Sequence, residues 1–387
     1  MIKITKWFDD DIVKNYKEEI EGKIKSNYDE RDSSLDNEFT KKIFQDDDGN
    51  YSKEKVIDLI SLKFKELIEK YPFYKDYIDF RIELDEILNT TNTINNEKYK
   101  ESGYKGKNIY FKSLFSNSKV TFMKKIEIED NIDTFEKFKE FLKGKKAELL
   151  LIDKIDKVIN YSFLSSDLRH KLILSLNISV CPYCNRQYIT SWNDEKKKKK
   201  KTTADLDHFY PKSIFPAFSL SLFNFVPSCQ ICNSRMKGSK WSDVIYPYEE
   251  RFGDDAYFEV VNLEKKDNND NDYYDKLLRN LLGQSSELME LDIKINTESD
   301  KKFKIEKSKD MFNLKEVYQT HKSYVKELLL KKRIYDDGAY LESLKNQFDK
   351  LNLDEYSLQQ FLYGYNWQEG EDPDKPLSKL TYDILMR

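Results

Sequence analysis

The 387-residue chain lacks long apolar runs, and hydrophobic residues make up only 39% of it. No stretch of about 18 apolar residues occurs, which argues against a helix that spans a membrane. The N-terminal sequence MIKITKWFDDDIV lacks the basic and then apolar pattern of a secretory signal, so we expect a cytoplasmic protein with no membrane partner. The charged fraction of 35% is above the usual value of roughly 25% and predicts much solvated helix.

Cysteine is scarce, and the four cysteines fall into two pairs, Cys181 with Cys184 and Cys229 with Cys232. Two residues lie inside each pair, 44 residues lie between the pairs, and no cysteine is left over. In a reducing compartment this pattern predicts a structural zinc site with four thiolate ligands. Two disulfides are the alternative, and the missing export signal counts against them.

Charge is unevenly distributed along the chain. The segment from Cys181 to Lys240 carries a net charge of +7, although the whole chain has a formal net charge of −4. A basic segment in an acidic chain is typical of phosphate attraction confined to one site. Taken alone, the run of six lysines from Lys196 to Lys201 is more typical of a solvated loop.

Composition and periodicity divide the chain into three regions of an α+β fold that is predominantly helical. Residues 1–160 are predicted to be helical, with a helix over Lys53–Tyr71, and residues 246–387 mainly helical from Asn313 onwards. Residues 161–245 form the central region, in which a helix capped by Ser165 is expected to lead to the first cysteine pair. After this region we expect a strand over 256–263 and an exposed polar loop over 265–275.

Polar residues between and just after the cysteine pairs suit phosphodiester hydrolysis, in which water needs a base and the leaving oxygen needs a cation. His208 can supply the base, because its neutral imidazole accepts a proton near pH 7. Asp207 and Asn233 offer oxygen ligands for Mg²⁺ or Mn²⁺. Asn224 is suited to orienting the imidazole or to holding the loop behind it. Asp205 is either a second acid near the metal or an exposed strand residue.

The local geometry of this segment is constrained. Neighbouring residues on a regular strand point to opposite faces, so Asp207 and His208 can line one site only at a bulge or a strand end. Cys232 and Asn233 are adjacent, so zinc bound to the cysteine also fixes the asparagine. We therefore expect the zinc site to act as a clamp on the hydrolytic centre.

The ordered set C-P-Y-C, D-H and N-F-V-P-x-C-x-x-C-N resembles the HNH, or ββα-metal, endonucleases in their four-cysteine form. The similarity covers about 60 of the 387 residues, with fifteen residues between the histidine and the first asparagine and eight between the two asparagines. It implies a central ββα-metal module that cuts DNA. The roles it implies are metal ligand for Asp207, general base for His208, loop support for Asn224 and second metal ligand for Asn233.

Basic residues of the central region are candidates for contacts with backbone phosphates. They are Arg186, Lys212, Arg235, Lys237 and Lys240. Lys237 is the best placed if a helix beginning near Gln230 faces the substrate, and a solvated surface position is the alternative for each. His170 and His321 lie in helical patterns and are predicted to be structural, while Trp192 and Trp241 are expected to pack in the core or at its rim.

The layout of the chain and its terminal P-L-S-K-L-x-x-D-I stretch resemble the PtuB-like nucleases of Septu-type bacterial antiviral defence. This resemblance implies a partner ATPase of the AAA or ABC/SMC-like class that licenses cleavage. It also implies that the helical flanks are docking surfaces.

Three other functions remain open at the level of sequence. The same chemistry can act on RNA, including tRNA, since nothing here reads a 2′-hydroxyl. A non-catalytic zinc-stabilised binding subunit needs the cysteines but none of the four polar residues. A zinc deaminase needs an open zinc position and a glutamate two residues after its histidine ligand, whereas Tyr210 stands at that place.

Overall fold

The computed structural model describes residues 1–31, 38–93, 99, 101–118, 124, 126–150, 152–194, 199–262, 289–335, 338–352, 355–365 and 372–386. Within these ranges the chain is mixed α+β and mainly helical, as predicted. None of the described helices is both long enough and apolar enough to cross a membrane. The predicted polar loop over 265–275 and Lys196 to Lys198 lie outside the described residues.

Helices fill the chain before the first cysteine pair. They are α1 (Asp10–Asp29), α2 (Glu38–Phe44), α3 (Lys53–Ser61), α4 (Phe64–Lys70), α5 (Phe73–Thr93), α6 (Lys107–Ser116), α7 (Phe135–Leu150), α8 (Ile152–Val158) and α9 (Ser166–Leu176). Ser165 caps α9, as predicted, because its hydroxyl accepts a hydrogen bond from the Leu168 amide at 3.1 Å. The helical segment predicted over Lys53–Tyr71 consists of two helices, since extended backbone at Leu62 separates α3 from α4.

The described strands form three antiparallel pairs. The strands are β1 (Ser191–Asp194), β2 (Lys199–Thr202), β3 (Ala204–His208), β4 (Phe225–Cys229), β5 (Ala256–Asn262) and β6 (Met289–Ile295), paired in chain order. The predicted strand over 256–263 is confirmed as β5. The register of the central pair sets Ala204 opposite Cys229 and His208 opposite Phe225 without interruption, so β3 and β4 carry the cysteine at one end and the histidine at the other.

Short helices follow the central strands and make up most of the C-terminal region. A π-helix (Ile231–Lys237) comes directly after β4. The helices after β6 are α10 (Lys302–Met311), α11 (Leu314–Tyr318), α12 (Lys322–Tyr335), α13 (Gly338–Lys350), α14 (Glu355–Tyr363) and α15 (Ser378–Met386).

One hydrophobic core runs through all three predicted regions. It includes Ile20 of α1, Phe218 and Phe225 of the central region, and Tyr318 and Leu380 of the C-terminal region. A smaller, separate core of aromatic and aliphatic side chains lies between α5, α6 and α7. The central strands therefore lie within a core that residues from both flanks complete.

Candidate metal and hydrolytic site

The four cysteines converge on one point. Their Sγ atoms all lie within 4.8 Å of one another, and those of Cys184 and Cys229 are 4.0 Å apart. Four sulfurs placed about 2.3 Å from a tetrahedral zinc stand about 3.8 Å apart, so the spacing fits zinc. It is far longer than a disulfide bond of about 2.05 Å. All four side chains are buried, and the predicted pairing of the two motifs into one metal-competent cluster is confirmed.

Distant parts of the chain close over this cysteine cluster. The Ile2 amide donates to the Pro182 carbonyl at 3.0 Å, and the Tyr318 hydroxyl donates to the Cys184 carbonyl at 2.6 Å. Asn185 is fully buried and adopts a left-handed backbone with φ of 49°. Its carbonyl accepts from the Leu377 amide at 2.6 Å, so the segment before α15 docks on the cysteine cluster.

The strand β3 separates Asp207 from His208. The ladder is regular up to His208, which is the last residue of the strand, so the predicted strand end is confirmed. Because neighbouring side chains alternate across a strand, the two residues enter different surroundings. His208 contacts aromatic rings, whereas Asp207 contacts a hydroxyl and an ammonium.

His208 is held in one orientation by a backbone carbonyl. Its Nε2 lies 3.0 Å from the carbonyl oxygen of Ser219. A carbonyl can only accept, so Nε2 carries the proton and Nδ1 keeps its lone pair. The ring packs edge-on against Tyr161 at 4.7 Å and Phe225 at 5.2 Å between centroids. Burial lowers the pKa of His208 to about 4, so the imidazole is neutral at pH 7.

Asn224 holds the loop between β3 and β4. Its amide nitrogen donates to the carbonyls of Tyr210 and Phe218 at 3.0 and 2.9 Å, and its oxygen accepts from the Tyr210 amide at 2.7 Å. The fully buried side chain therefore satisfies all three bonds with loop backbone. Of the two roles predicted for Asn224, the geometry favours loop support over direct contact with the imidazole.

Two N-terminal helices also form hydrogen bonds to this loop. The Tyr16 hydroxyl of α1 donates to the Leu220 carbonyl at 2.5 Å, and the Arg81 Nε of α5 donates to the Ile214 carbonyl. The Ser219 hydroxyl in turn donates to the Ile159 carbonyl at 3.2 Å. Through these bonds the N-terminal region fixes the carbonyl that orients His208.

Asp207 is closed off rather than open to a cation. Its Oδ2 accepts from the Tyr183 hydroxyl at 2.7 Å, and its Oδ1 is 3.0 Å from the Lys237 ammonium. The same ammonium donates to the His208 carbonyl at 2.6 Å. Burial raises the pKa of Asp207 and lowers that of Lys237, while their contact opposes both shifts. A buried ammonium thus occupies the place of a cation, and this arrangement does not fit Mg²⁺ or Mn²⁺ at Asp207.

The prediction that Lys237 contacts phosphate is corrected by the same contacts, since only 2% of its surface is exposed. The helix begins where it was predicted, after Gln230, but it is a π-helix in which the Gly238 amide bonds to the Asn233 carbonyl at 2.7 Å. The wider turn brings Lys237 onto the side that faces β3, where it reaches Asp207.

Asn233 contacts Asp205 rather than Asp207. Its amide nitrogen donates to Asp205 Oδ2 at 3.0 Å, and the Ser234 hydroxyl lies 3.4 Å from the same oxygen. Within the described residues, no hydrogen bond joins Asn233 to Asp207. The structure therefore makes Asp205, which is only partly exposed, the acid that Asn233 contacts directly.

The other predicted phosphate contacts have different surroundings. Lys212, Arg235 and Lys240 are exposed, as such a role requires. Arg186 instead donates through Nε to His321 Nε2 at 3.0 Å, which ties the cysteine cluster to the C-terminal region. Trp241 stacks on Tyr210 with ring centroids 4.8 Å apart, as expected for a rim residue.

Several residues of the site carry no signal in the sequence. Tyr161, Tyr183 and Ser219 each contact His208 or Asp207, and Arg169 of α9 lies over the Tyr161 ring at 5.3 Å. Tyr161 and Arg169 lie far before the motif, and Ser219 acts through its carbonyl, which any residue has. Tyr183 is the exception, because its place inside the first cysteine pair makes it a candidate.

Comparisons of the chain with protein-family profiles, curated proteins and solved structures return no match.

Proposed function

We propose that this chain is an HNH-type endonuclease that hydrolyses phosphodiester bonds of DNA with His208 as the general base. The observation that carries the proposal is the hydrogen bond from His208 Nε2 to the Ser219 carbonyl, which leaves Nδ1 unprotonated. The strand pair β3 and β4, followed by the π-helix, supplies the order of elements that the resemblance implies.

In the proposed reaction, a water molecule gives a proton to Nδ1 of His208 as its oxygen attacks phosphorus. One P–O bond forms to the water oxygen, and the P–O bond to the leaving oxygen breaks as that oxygen takes a proton from solvent water. Nε2 stays bound to Ser219, and Nδ1 then returns its proton to solvent. The pKa of about 4 makes the free imidazole a weak base, but an anionic phosphate bound beside it favours the protonated form and raises that pKa. Substrate binding would therefore strengthen the base where it is needed.

No step of the reaction is assigned to a divalent cation, since the Lys237 ammonium occupies Asp207. The structural zinc is a separate matter, because its four thiolates leave no open position for substrate.

The cleavage of RNA by the same base and a non-catalytic binding role are the competing functions. A binding subunit needs the cysteine cluster. It gains nothing from a His208 ring that the Ser219 carbonyl orients so that Nδ1 is unprotonated. RNA is the nearer competitor, since the geometry of His208 serves either polymer.

We further propose a role in antiviral defence beside a partner ATPase, on the resemblance alone. The terminal P-L-S-K-L-x-x-D-I stretch has an internal role here: Ser378, Lys379 and Asp383 are buried, and Lys379 and Asp383 form an ion pair at 2.5 Å. A partner must therefore dock elsewhere. Affinity purification of the tagged chain from its own host should recover an ATPase in comparable amount, and recovery of the chain alone would count against this role.

The nuclease proposal is tested with plasmid DNA and total RNA, comparing wild type, His208→Ala and the matched control His321→Gln. General-base removal should cost about 10² to 10⁴ in rate, whereas the control should cut like wild type. The assay is run with Mg²⁺, with Mn²⁺ and with EDTA, and retained zinc is measured in each sample. Cleavage of RNA but not DNA would choose the competing substrate, and cleavage that survives His208→Ala would refute the proposed base.

A further inference from the structure

Two cations lie over the aromatic ring that contacts His208. Tyr161 lies in a short 3₁₀ turn (Tyr161–Phe163) before α9, and its edge-on contact with the imidazole was described above. The Arg169 guanidinium lies 5.3 Å from the centre of this ring, and the Lys212 ammonium lies 4.4 Å from it. The two charges come from parts of the chain that are 43 residues apart and meet only in the fold.

Arg169 has a buried donor that the protein leaves unused. Its Nε is buried and has no hydrogen-bond partner, although the residue as a whole is partly exposed. Neither Arg169 nor Lys212 has an acidic partner in the part of the chain that the structure describes. The acid on the same helix, Asp167, pairs instead with Lys171 at 3.0 Å and with Lys200.

A buried N–H without a hydrogen-bond partner is unfavourable, so proteins normally avoid one. Arg169 is partly exposed, and its guanidinium can bind a phosphate through that part, because the planar group presents parallel donors that match phosphate geometry. A lysine adds a point charge that is adaptable in direction. Both groups lie one ring contact away from the imidazole that the proposed reaction uses.

We propose that Arg169 and Lys212, which both lie over the Tyr161 ring, form a phosphate clamp that binds the backbone of a nucleic-acid strand beside His208. This inference rests on the proposed function, because the clamp would hold the nucleic-acid substrate of that reaction beside His208. It adds to the site a residue of α9, outside the segment that carries the motif.

The test is the binding of a short labelled DNA duplex, and of an RNA duplex of the same sequence, to the full zinc-loaded chain carrying His208→Ala. Binding is measured over a series of salt concentrations for Arg169→Gln, Lys212→Gln and the pair. Lys171→Gln is the matched control, since it removes one charge from the same helix at an ion-paired, exposed position. Arg169→Lys keeps the positive charge but removes the parallel N–H donors of the guanidinium.

Each clamp substitution should weaken binding about tenfold and reduce the slope of log affinity against log salt by about 0.9, and the double substitution by about twice that slope. Arg169→Lys should restore the slope but only part of the affinity. The control should match its parent in both. Thermal unfolding of every variant checks the fold, and Lys212→Gln, at an exposed position, carries the test alone if Arg169→Gln does not fold.

The outcomes separate the clamp from the nuclease. Unchanged affinity and slope in both clamp variants, or an equal change in Lys171→Gln, would overturn the clamp, as would a parent chain that binds neither duplex. If cleavage depends on His208 but not on Arg169 or Lys212, the clamp falls and the nuclease stands. If the variants lose binding while the wild type cuts nothing, the clamp stands and the nuclease falls.

Discussion

The two sides of the central strand pair differ in how their charges are satisfied. On the closed side, Asp207 binds Lys237 and Tyr183, and Asp205 accepts from Asn233. The open side is defined by His208, Tyr161, Arg169 and Lys212. There, the buried Nε of Arg169 has no hydrogen-bond partner, and neither Arg169 nor Lys212 has an acidic partner within the described residues.

This difference distinguishes groups that stabilise the fold from groups that are proposed to bind a ligand or to react. A buried charge with all its partners stabilises one arrangement of the chain, and its loss leaves the partner uncompensated. A donor or base without a partner costs stability and is kept where it serves binding or reaction. Substitutions on the closed side should therefore change stability, and substitutions on the open side should change binding and rate.

The largest effect is expected at the cysteine cluster, on which both sides depend. Zinc binding to small zinc-finger peptides is worth on the order of 10–16 kcal/mol, which rivals the whole stability of a typical domain. Replacing Cys181 and Cys229 by Ser should abolish bound zinc and the cooperative unfolding of the central region. Metal analysis and thermal unfolding measure both.

Thiol titration sharpens this test, because the chain has only four cysteines and all of them belong to the cluster. The zinc-loaded native protein should show no rapidly reactive thiol, and the chelated protein should show four. A zinc-free protein with an unchanged unfolding temperature would show that the cysteine cluster stabilises neither side of the strand pair.

The next largest effect is expected for the buried ion pair of the closed side. Lys237→Met leaves Asp207 buried and uncompensated, which should cost about 3–5 kcal/mol of unfolding free energy in urea. The double variant Asp207→Leu with Lys237→Met should lose less than the sum of the single losses. Lys137→Met, which removes an exposed pair with Asp133, is the control and should change stability little.

A stable Lys237→Met variant would break the comparison, since the closed side would then not hold the fold. Metal binding gives a second readout. If a divalent cation competes with the ammonium for Asp207, Lys237→Met should bind Mn²⁺ more tightly than wild type in titration calorimetry. Equal weak binding in both proteins would mean that the acid is structural in either state.

The sequence predicts well what depends on local spacing. The cysteine pairs, the cap at Ser165 and the strand that ends at His208 follow from short patterns, and the structure contains all three. The paired cysteines are informative because a metal requires their convergence, whatever the rest of the fold does.

The errors and omissions arise where contacts link distant segments. Lys237 was predicted to face substrate because an ordinary helix was assumed, and one wider turn redirects it to Asp207. Arg169 could not be connected with His208, because the link passes through a ring in a preceding turn. Tyr16 and Arg81 likewise reach the loop only after α1 and α5 have packed.

The pH dependence of the free energy of unfolding should reflect the protonation of His208 on the open side. The pKa of His208 is about 4 in the folded chain and about 6.5 in an unfolded one, so the unfolded chain binds the proton first as pH falls. The free energy of unfolding that depends on the neutral imidazole is fully present above pH 6.5. It falls between about pH 6.5 and 4, by about 3 kcal/mol at most. Burial is the main cause, and the nearby charges of Lys212, Lys237 and Arg169 add to it.

Comparison with His208→Gln isolates this contribution, since loss of zinc at low pH affects both proteins alike. Wild type should lose more stability than the variant between about pH 7 and pH 5 in urea unfolding. Parallel curves would show that the imidazole is already solvated and freely protonated, which would put it outside the buried site described here.

The smallest effect is expected where the C-terminal segment docks on the cysteine cluster. The Asn185 side chain accepts from the Lys379 amide at 3.1 Å and donates to the Lys375 carbonyl at 3.3 Å. Asn185→Ala loses these bonds and also places alanine in a left-handed backbone, at a combined cost of about 1–3 kcal/mol. Asn352→Ala is the control, because Asn352 has φ of 54° at an exposed position and shares only the backbone cost.

The excess loss in Asn185→Ala over the control measures how strongly the docked segment supports the cluster, and urea unfolding provides it. Because this contact lies away from the open side, the affinity for a DNA duplex should stay at the wild-type value. A variant that keeps its stability but loses duplex binding would show that the C-terminal segment, rather than the Arg169 and Lys212 side chains, meets the nucleic acid.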